Sequence, residues 1–208
     1  MQLSFFAAEA QPPAPSDLAG LLAAGGQCVF TPAGARVSVV LDAPWRAEAV
    51  AQMMRQAVAA GRSGTALSGD AAVVDDAAAE VLETDEGRPL ARTAHARELE
   101  PLARRWNKGA VKQVPDGWTP SARALRAWSI AAGHRVDGHW LLGLDPHAGQ
   151  THQPLAAALA RAGIAVTLIG PRGGGPAARV TGRRRLSRLI ENIGEPPAQA
   201  PAGAWPSV

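Results

Sequence analysis

Apolar residues recur along this chain in two rhythms, and each change of rhythm marks a new element. From Leu18 to Ala24 apolar and small residues run continuously, which suits a short buried helix. Ser16 or Asp17 stands ready to cap it, because a side-chain oxygen there accepts from backbone donors that the first turn leaves free. Gly25 and Gly26 end it. Alternation then takes over. Residues 28–31 and 36–41 read as strands joined at Pro32-Ala-Gly34. In the second strand Val37, Val39 and Leu41 share one face, and Arg36, Ser38 and Val40 the other. A helix follows from the Asp42-Ala-Pro-Trp45 stretch to about residue 60. Pro44 suits its first turn, and its apolar stripe is Val50, Met53, Met54, Ala57 and Val58.

Residues 61–96 are less regular. Short strands over 65–67, 72–74, 80–83 and 89–93 are all compatible with the pattern, with Asp85-Glu-Gly87 as a hairpin turn. Residues 98–106 read as a helix and 107–118 as a linker. The second half repeats the order more clearly. Thr119 caps a helix over 120–132, and strands 134–136 and 140–144 meet at Asp137-Gly138, a strong hairpin signal. A helix over 150–162 closes at Gly163. Strands 164–169 and 177–181 flank Pro171-Arg-Gly-Gly-Gly175, and a last helix over 183–193 closes at Gly194. The pattern predicts an α/β (α+β) fold in which one αββαββα unit occurs twice with pseudo-two-fold symmetry. Its repeats span 16–106 and 119–194, flanked by a flexible Ala/Pro-rich arm (1–15) and a disordered tail (195–208).

At 208 residues the chain is long enough to bury a sizeable core without staples. Lys and Arg total 21 against 18 Asp and Glu, a net charge of +3, which permits a polyanionic partner without demanding one. The distribution is more informative. Residues 172–188 hold six Arg and no acid, whereas residues 70–86 hold seven acids and no base. The single cysteine, Cys28, excludes an internal disulfide and reads as a small buried hydrophobe. No apolar run reaches the ~20 residues of a membrane span, and the opening residues lack the basic region of a signal peptide. A cytoplasmic location away from membranes is the expectation.

Two nine-residue stretches carry a family resemblance. Leu18-Ala-Gly-Leu-Leu-Ala-Ala-Gly-Gly26 and, about 107 residues on, Leu125-Arg-Ala-Trp-Ser-Ile-Ala-Ala-Gly133 are similar to the motif helices of the LAGLIDADG superfamily. Lys108-Gly-Ala-Val-Lys-Gln-Val-Pro115 resembles the Lys-x-Val/Ile-Pro segment that precedes a second family motif. The resemblance implies two helices packed through small residues at a two-fold axis, with sheets forming a saddle that straddles DNA. It also implies an acid at the eighth motif position, where a divalent metal would activate water and stabilise the leaving oxygen. Gly25 and Ala132 stand there instead, so no catalytic residue, metal or cofactor is expected, and the chain is not expected to be an enzyme. Within the superfamily, 125–134 and Leu189-Ile-Glu-Asn-Ile-Gly194 look like the second repeat of the WhiA-type regulators of actinobacteria. That likeness implies a helix-turn-helix beginning where this sequence stops.

The remaining chemistry is basic. On such a saddle Arg36, Lys108, Lys112, His139, Arg172, Arg179, Arg183, Arg184, Arg185 and Arg188 are the candidate contacts to DNA, or to RNA. Three successive arginines at a helix N-terminus oppose the helix dipole, a cost that an anionic partner relieves. Other features read as structural. Gly170-Pro-Arg-Gly-Gly-Gly175 lacks the Gly-Lys-Ser/Thr ending of a P-loop and is read as a hairpin tip. His134, His139, His147 and His152 are scattered over strands and loops rather than converging on a metal. Trp45, Trp106, Trp118, Trp128 and Trp140 are core anchors, and Ser129 belongs to no nucleophile motif. The leading expectation is a non-catalytic, regulatory DNA-binding protein. A protein-interaction module using the acidic segment and Pro-rich ends, and an active homing-type endonuclease, are the alternatives.

Overall fold

The computed structural model describes residues 7–65, 75–173 and 175–207. The first half runs through α1 (Ala19–Ala23), β1 (Gln27–Thr31), β2 (Gly34–Val40), α2 (Pro44–Thr65), β3 (Ala79–Glu83), β4 (Pro89–Thr93) and α3 (Glu100–Trp106). A small hairpin of β5 (Asn107–Lys108) and β6 (Val111–Lys112) follows. The second half runs through α4 (Ala122–Ala132), β7 (Gly133–Val136), β8 (His139–Gly143), α5 (His152–Arg161), β9 (Val166–Ile169), β10 (Ala177–Val180) and α6 (Arg183–Ile193). The sheets are antiparallel and have the same spatial order, β1-β2-β4-β3 and β7-β8-β10-β9. The duplicated αββαββα unit expected from the sequence is therefore present.

Alternation decides which sheet face is covered. Ala35, Val37 and Val39 of β2 and Ala91 of β4 are buried on one side of the first sheet, under α2. Trp140 and Leu142 of β8 and Ala178 and Val180 of β10 do the same in the second sheet, with α4 and α5 packed nearby. The opposite, open faces carry Arg36, Ser38 and Arg92 in the first sheet and, in the second, Arg179 beside the buried Leu141. At the Asp137-Gly138 turn both residues have positive φ (48° and 77°), which matches the twist of a two-residue hairpin.

Between the halves α1 and α4 lie side by side, as the motif resemblance implies. Their backbones nearly touch. A Cβ placed on Gly20 would fall 2.8 Å from the Ala124 carbonyl carbon and 2.9 Å from the Trp128 nitrogen. Around this contact Leu18, Leu21, Leu22, Leu125, Trp128 and Ile130 are fully buried, and they join the cores of the two halves into one.

At the N-terminal ends of these helices, Arg123 and Asp17 form a buried ion pair at 2.8 Å. Arg123 also donates to Gln56 Oε1 at 2.8 Å, which links α4 to α2. Arg126, one turn on, donates to Glu9 at 2.7 Å and to the carbonyls of Ile193 and Glu195, and its guanidinium lies over the Trp205 ring. Segment 195–207 is consequently packed rather than disordered: Trp205 is buried and its indole donates to the Gly194 carbonyl at 2.9 Å. Residues 7–14 are docked as well, with Ala7 and Ala8 buried. Averaged composition concealed both, because one tryptophan and one glutamate do the anchoring.

Other boundaries moved. α2 continues to Thr65, so the first residue of the expected 65–67 strand ends a helix, while 66–67 and the expected strand 72–74 lie outside the described residues. Ser121, not Thr119, caps α4, its hydroxyl accepting from the Ala124 N–H at 3.1 Å. The expected linker holds the β5–β6 hairpin, and the Asn107 side-chain amide donates to the Cys28 carbonyl on β1 at 3.0 Å.

Because the Gly20 clash is with backbone atoms of α4, Gly20→Ala is expected to cost about 3 kcal/mol of stability in urea denaturation, the upper end for overpacking. Gly25→Ala, with nothing within 4 Å of its added carbon, is expected to stay within about 0.5 kcal/mol of wild type.

Candidate nucleic-acid interface

Strand register fixes what each open face presents. In the first sheet Gln27, Ser38, Arg92 and Glu80 form one cross-strand row, and Val29 and Arg36 form the next. In the second, His134, Leu141, Arg179 and Thr167 form a row. Arg36 and Arg179 thus both lie on open faces, each half-buried. Among the described residues neither takes part in an ion pair. The Nε of Arg179 is buried without a hydrogen-bond partner. Arg92, which the sequence reading passed over, shares this face and is bonded to Glu80 at 2.7 Å. The signal for it was the repeated Ala-Arg pair, Ala91-Arg92 in β4 and Ala178-Arg179 in β10.

The other expected contacts are dispersed. His139 is exposed beside the β7–β8 turn, and Lys108 is exposed at the β5–β6 hairpin. Lys112 is turned inward instead: it is 7 % exposed and bonded to Asp145 at 2.6 Å, so it is a core cation rather than a surface contact. Arg172 precedes β10, whereas Arg183, Arg184, Arg185 and Arg188 follow it. Ten residues, among them the whole of β10, separate Arg172 from Arg183, and the length of that strand, roughly 13 Å, lies between the two sets. α6 buries Leu189 and Ile193 and packs on α4, so its exposed arginines line a separate concavity of about 950 Å³ with Gly163 and Thr181. The six arginines of 172–188 therefore do not form one patch.

The C-terminal ends of α1 and α4 are where the resemblance would place acids. Gly25 is exposed there and Ala132 is half-buried. Polar side chains surround these ends, among them Arg46 and Gln27, which the sequence did not single out. Arg46, 6 % exposed near the start of α2, donates to the carbonyls of Ile130, Ser129 (3.4 Å) and Gly133 (2.6 Å). Asp42 holds its Nε at 2.9 Å. Carbonyls at a helix end carry partial negative charge, so a guanidinium satisfies them and neutralises the dipole together. Beside it Asp145 accepts from Lys112, from Gln27 Nε2 (3.1 Å) and from the His147 N–H (2.9 Å). Burial pushes the Asp145 carboxyl up, but these donors and the Lys112 charge outweigh it and hold the carboxyl below the usual carboxylate range. Asp42 and Asp145 are related by the internal symmetry: each follows a leucine whose N–H reaches a proline carbonyl, Leu41 to Pro89 and Leu144 to Pro176.

Histidines here serve the backbone. His152 Nε2 lies 2.8 Å from the Asp145 carbonyl and His134 Nδ1 lies 3.2 Å from that of Ala132. Among the described residues no three His, Cys, Asp or Glu side chains converge as a metal site would need. Burial pushes the Cys28 thiol up to about 11, as suits a core residue rather than a nucleophile. No helix among the described residues is long and apolar enough to cross a membrane.

With this geometry in hand the molecule can be set beside known proteins. No family model matches the sequence, and no curated protein matches it. A solved structure does match: the homing endonuclease I-WcaI bound to its DNA recognition sequence. The TM-score is 0.56 at 10% identity, over 86% of this chain and 79% of that one. At that identity the likeness is one of fold. The chain has a LAGLIDADG homing-endonuclease-like fold, two αββαββα halves around a central helix pair.

Removing one member of the buried pair strands the other. Asp145→Asn or Lys112→Met is expected to cost about 3–5 kcal/mol in urea denaturation, with much of it recovered in the K112M/D145L double variant. Since the Asp145 carboxyl is lowered in the folded state, its contribution is complete above its unfolded value of about 4 and is lost as pH falls through the lower folded value. Acid titration of stability should show this loss in wild type and not in D145N.

Proposed function

We propose that this protein binds DNA along the open faces of its two sheets without cutting it, as a regulatory protein of the WhiA type would. The observation that carries the reading is the chemistry at the ends of the central helices. Gly25 and Ala132 stand at the motif positions, Arg46 is bonded to the α4 carbonyls, and Asp145 is engaged by Lys112. Metal-assisted phosphodiester hydrolysis needs carboxylates free to hold a divalent ion against the phosphate. A buried guanidinium and a neutralised carboxylate repel or ignore such an ion. Arg36 and Arg179, unpaired on the open faces, supply the phosphate contacts, with Lys108 and His139 at the turns. That a protein of the same fold is seen bound to DNA supports the choice of partner. Binding without cleavage leaves occupancy itself as the output, which is what a regulator uses.

Fluorescence anisotropy with a labelled duplex tests this. Affinity is expected to fall linearly with salt on a log–log plot, because bound phosphates release counterions. Arg36→Gln and Arg179→Gln should each weaken binding and reduce the slope by about one. A supercoiled plasmid incubated with Mg²⁺ or Mn²⁺ should remain unnicked. Salt-independent binding, a preference for RNA of the same sequence, or metal-dependent nicking would each overturn the reading.

A further inference from the structure

The two halves share a topology but not a charge. Ala91 lies opposite Val39 and Ala178 opposite Leu142, so Arg92 and Arg179 hold equivalent places on the two open faces. The neighbour on the outermost strand differs. Arg92 sits across from Glu80, and Arg179 sits across from Thr167. Glu80 Oε1 is 2.7 Å from Arg92 Nε, with both side chains partly in solvent. Thr167 offers no charge, and Arg179 keeps an Nε without a partner. The contrast extends along the sequence. Asp75, Asp76, Glu83, Asp85 and Glu86 lie before β3 and on to its hairpin turn, whereas residues 164–190 contain no acid at all.

We propose that Glu80 occupies Arg92 as an internal stand-in for a phosphate, so that Arg179 of the second half grips the nucleic-acid backbone while Arg92, its counterpart in the first half, stays disengaged. The proposal rests on the nucleic-acid-binding reading above. A carboxylate offers a guanidinium the same kind of charge-assisted acceptor that a phosphate does. An exposed pair of this kind is weak and screened by salt, so an incoming phosphate can displace it. The displaced Glu80 would then stand beside that phosphate as a like charge, which opposes the exchange. Arg92 therefore adds little to binding in the wild type. Arg179, with a neutral neighbour, meets no such competitor.

Anisotropy on the full chain with a fluorescein-labelled duplex separates these roles. Both residues are on the surface, and matching thermal unfolding curves verify that each variant is folded. Glu80→Gln is expected to tighten binding about three- to tenfold and to steepen the salt slope by about one. Arg92→Gln alone should stay within about twofold of wild type, and adding it to E80Q should erase the gain. If Arg179→Gln weakens binding while E80Q leaves affinity and slope at their wild-type values, Glu80 is no competitor. The proposal then falls although the reading beneath it stands. If wild type and E80Q alike fail to bind at low salt, that reading falls and takes the proposal with it.

Discussion

Everything in this molecule is arranged around one backbone approach, Gly20 against the Ala124–Trp128 stretch of α4. Two helices come this close only where a side chain is missing, and the closeness lets α1, five residues long, act as half of an interface. A helix so short has almost no stability of its own. It exists because Leu18, Leu21 and Leu22 are buried against the second half, so neither half forms this core alone. The position of both sheets follows, since β1 and β7 leave directly from the ends of these two helices. The relative placement of the open faces is set by one missing methyl group.

Much of this was legible in the sequence, and the legible parts are those governed by local chemistry. The Asp137-Gly138 turn, the strand over 89–93 and the helix over 183–193 were readable because turn residues, alternation and a closing glycine act over a few positions. The central helix pair was readable through the repeated motif. Features resting on distant partners were not. Lys112 reads as a surface lysine until Asp145, 33 residues away, is brought to it. Arg46 is an ordinary helix arginine until the carbonyls of α4 arrive, more than 80 residues later. The packed tail was invisible because a Pro/Ala-rich composition describes its average, whereas a few contacts, of Trp205 with Gly194 and of Glu195 with Arg126 and Glu9, hold it in place.

Duplication and divergence can be seen separately here. The sheet order, the leucine–aspartate pair closing each second strand and the Ala-Arg pair on each open face are common to both halves. Charge is not, and neither is the surrounding of the two related aspartates: Asp42 is exposed beside Arg46, whereas Asp145 is buried with Lys112. Packing constraints preserve shape because any change of volume in a dense core is felt at once. Surface charge is held by no such constraint and can drift to serve one half only.

The small hairpin between the halves has a separate consequence. β1 is the border strand of its sheet, and it leaves Val29 and Phe30 exposed. A border of that kind invites pairing with the same strand of another molecule. Asn107 takes up the Cys28 carbonyl, and Arg104 stacks over the Phe30 ring at 5.7 Å. Asn107 of the hairpin and Arg104 of α3 thus cover part of a border that would otherwise be open to a further strand.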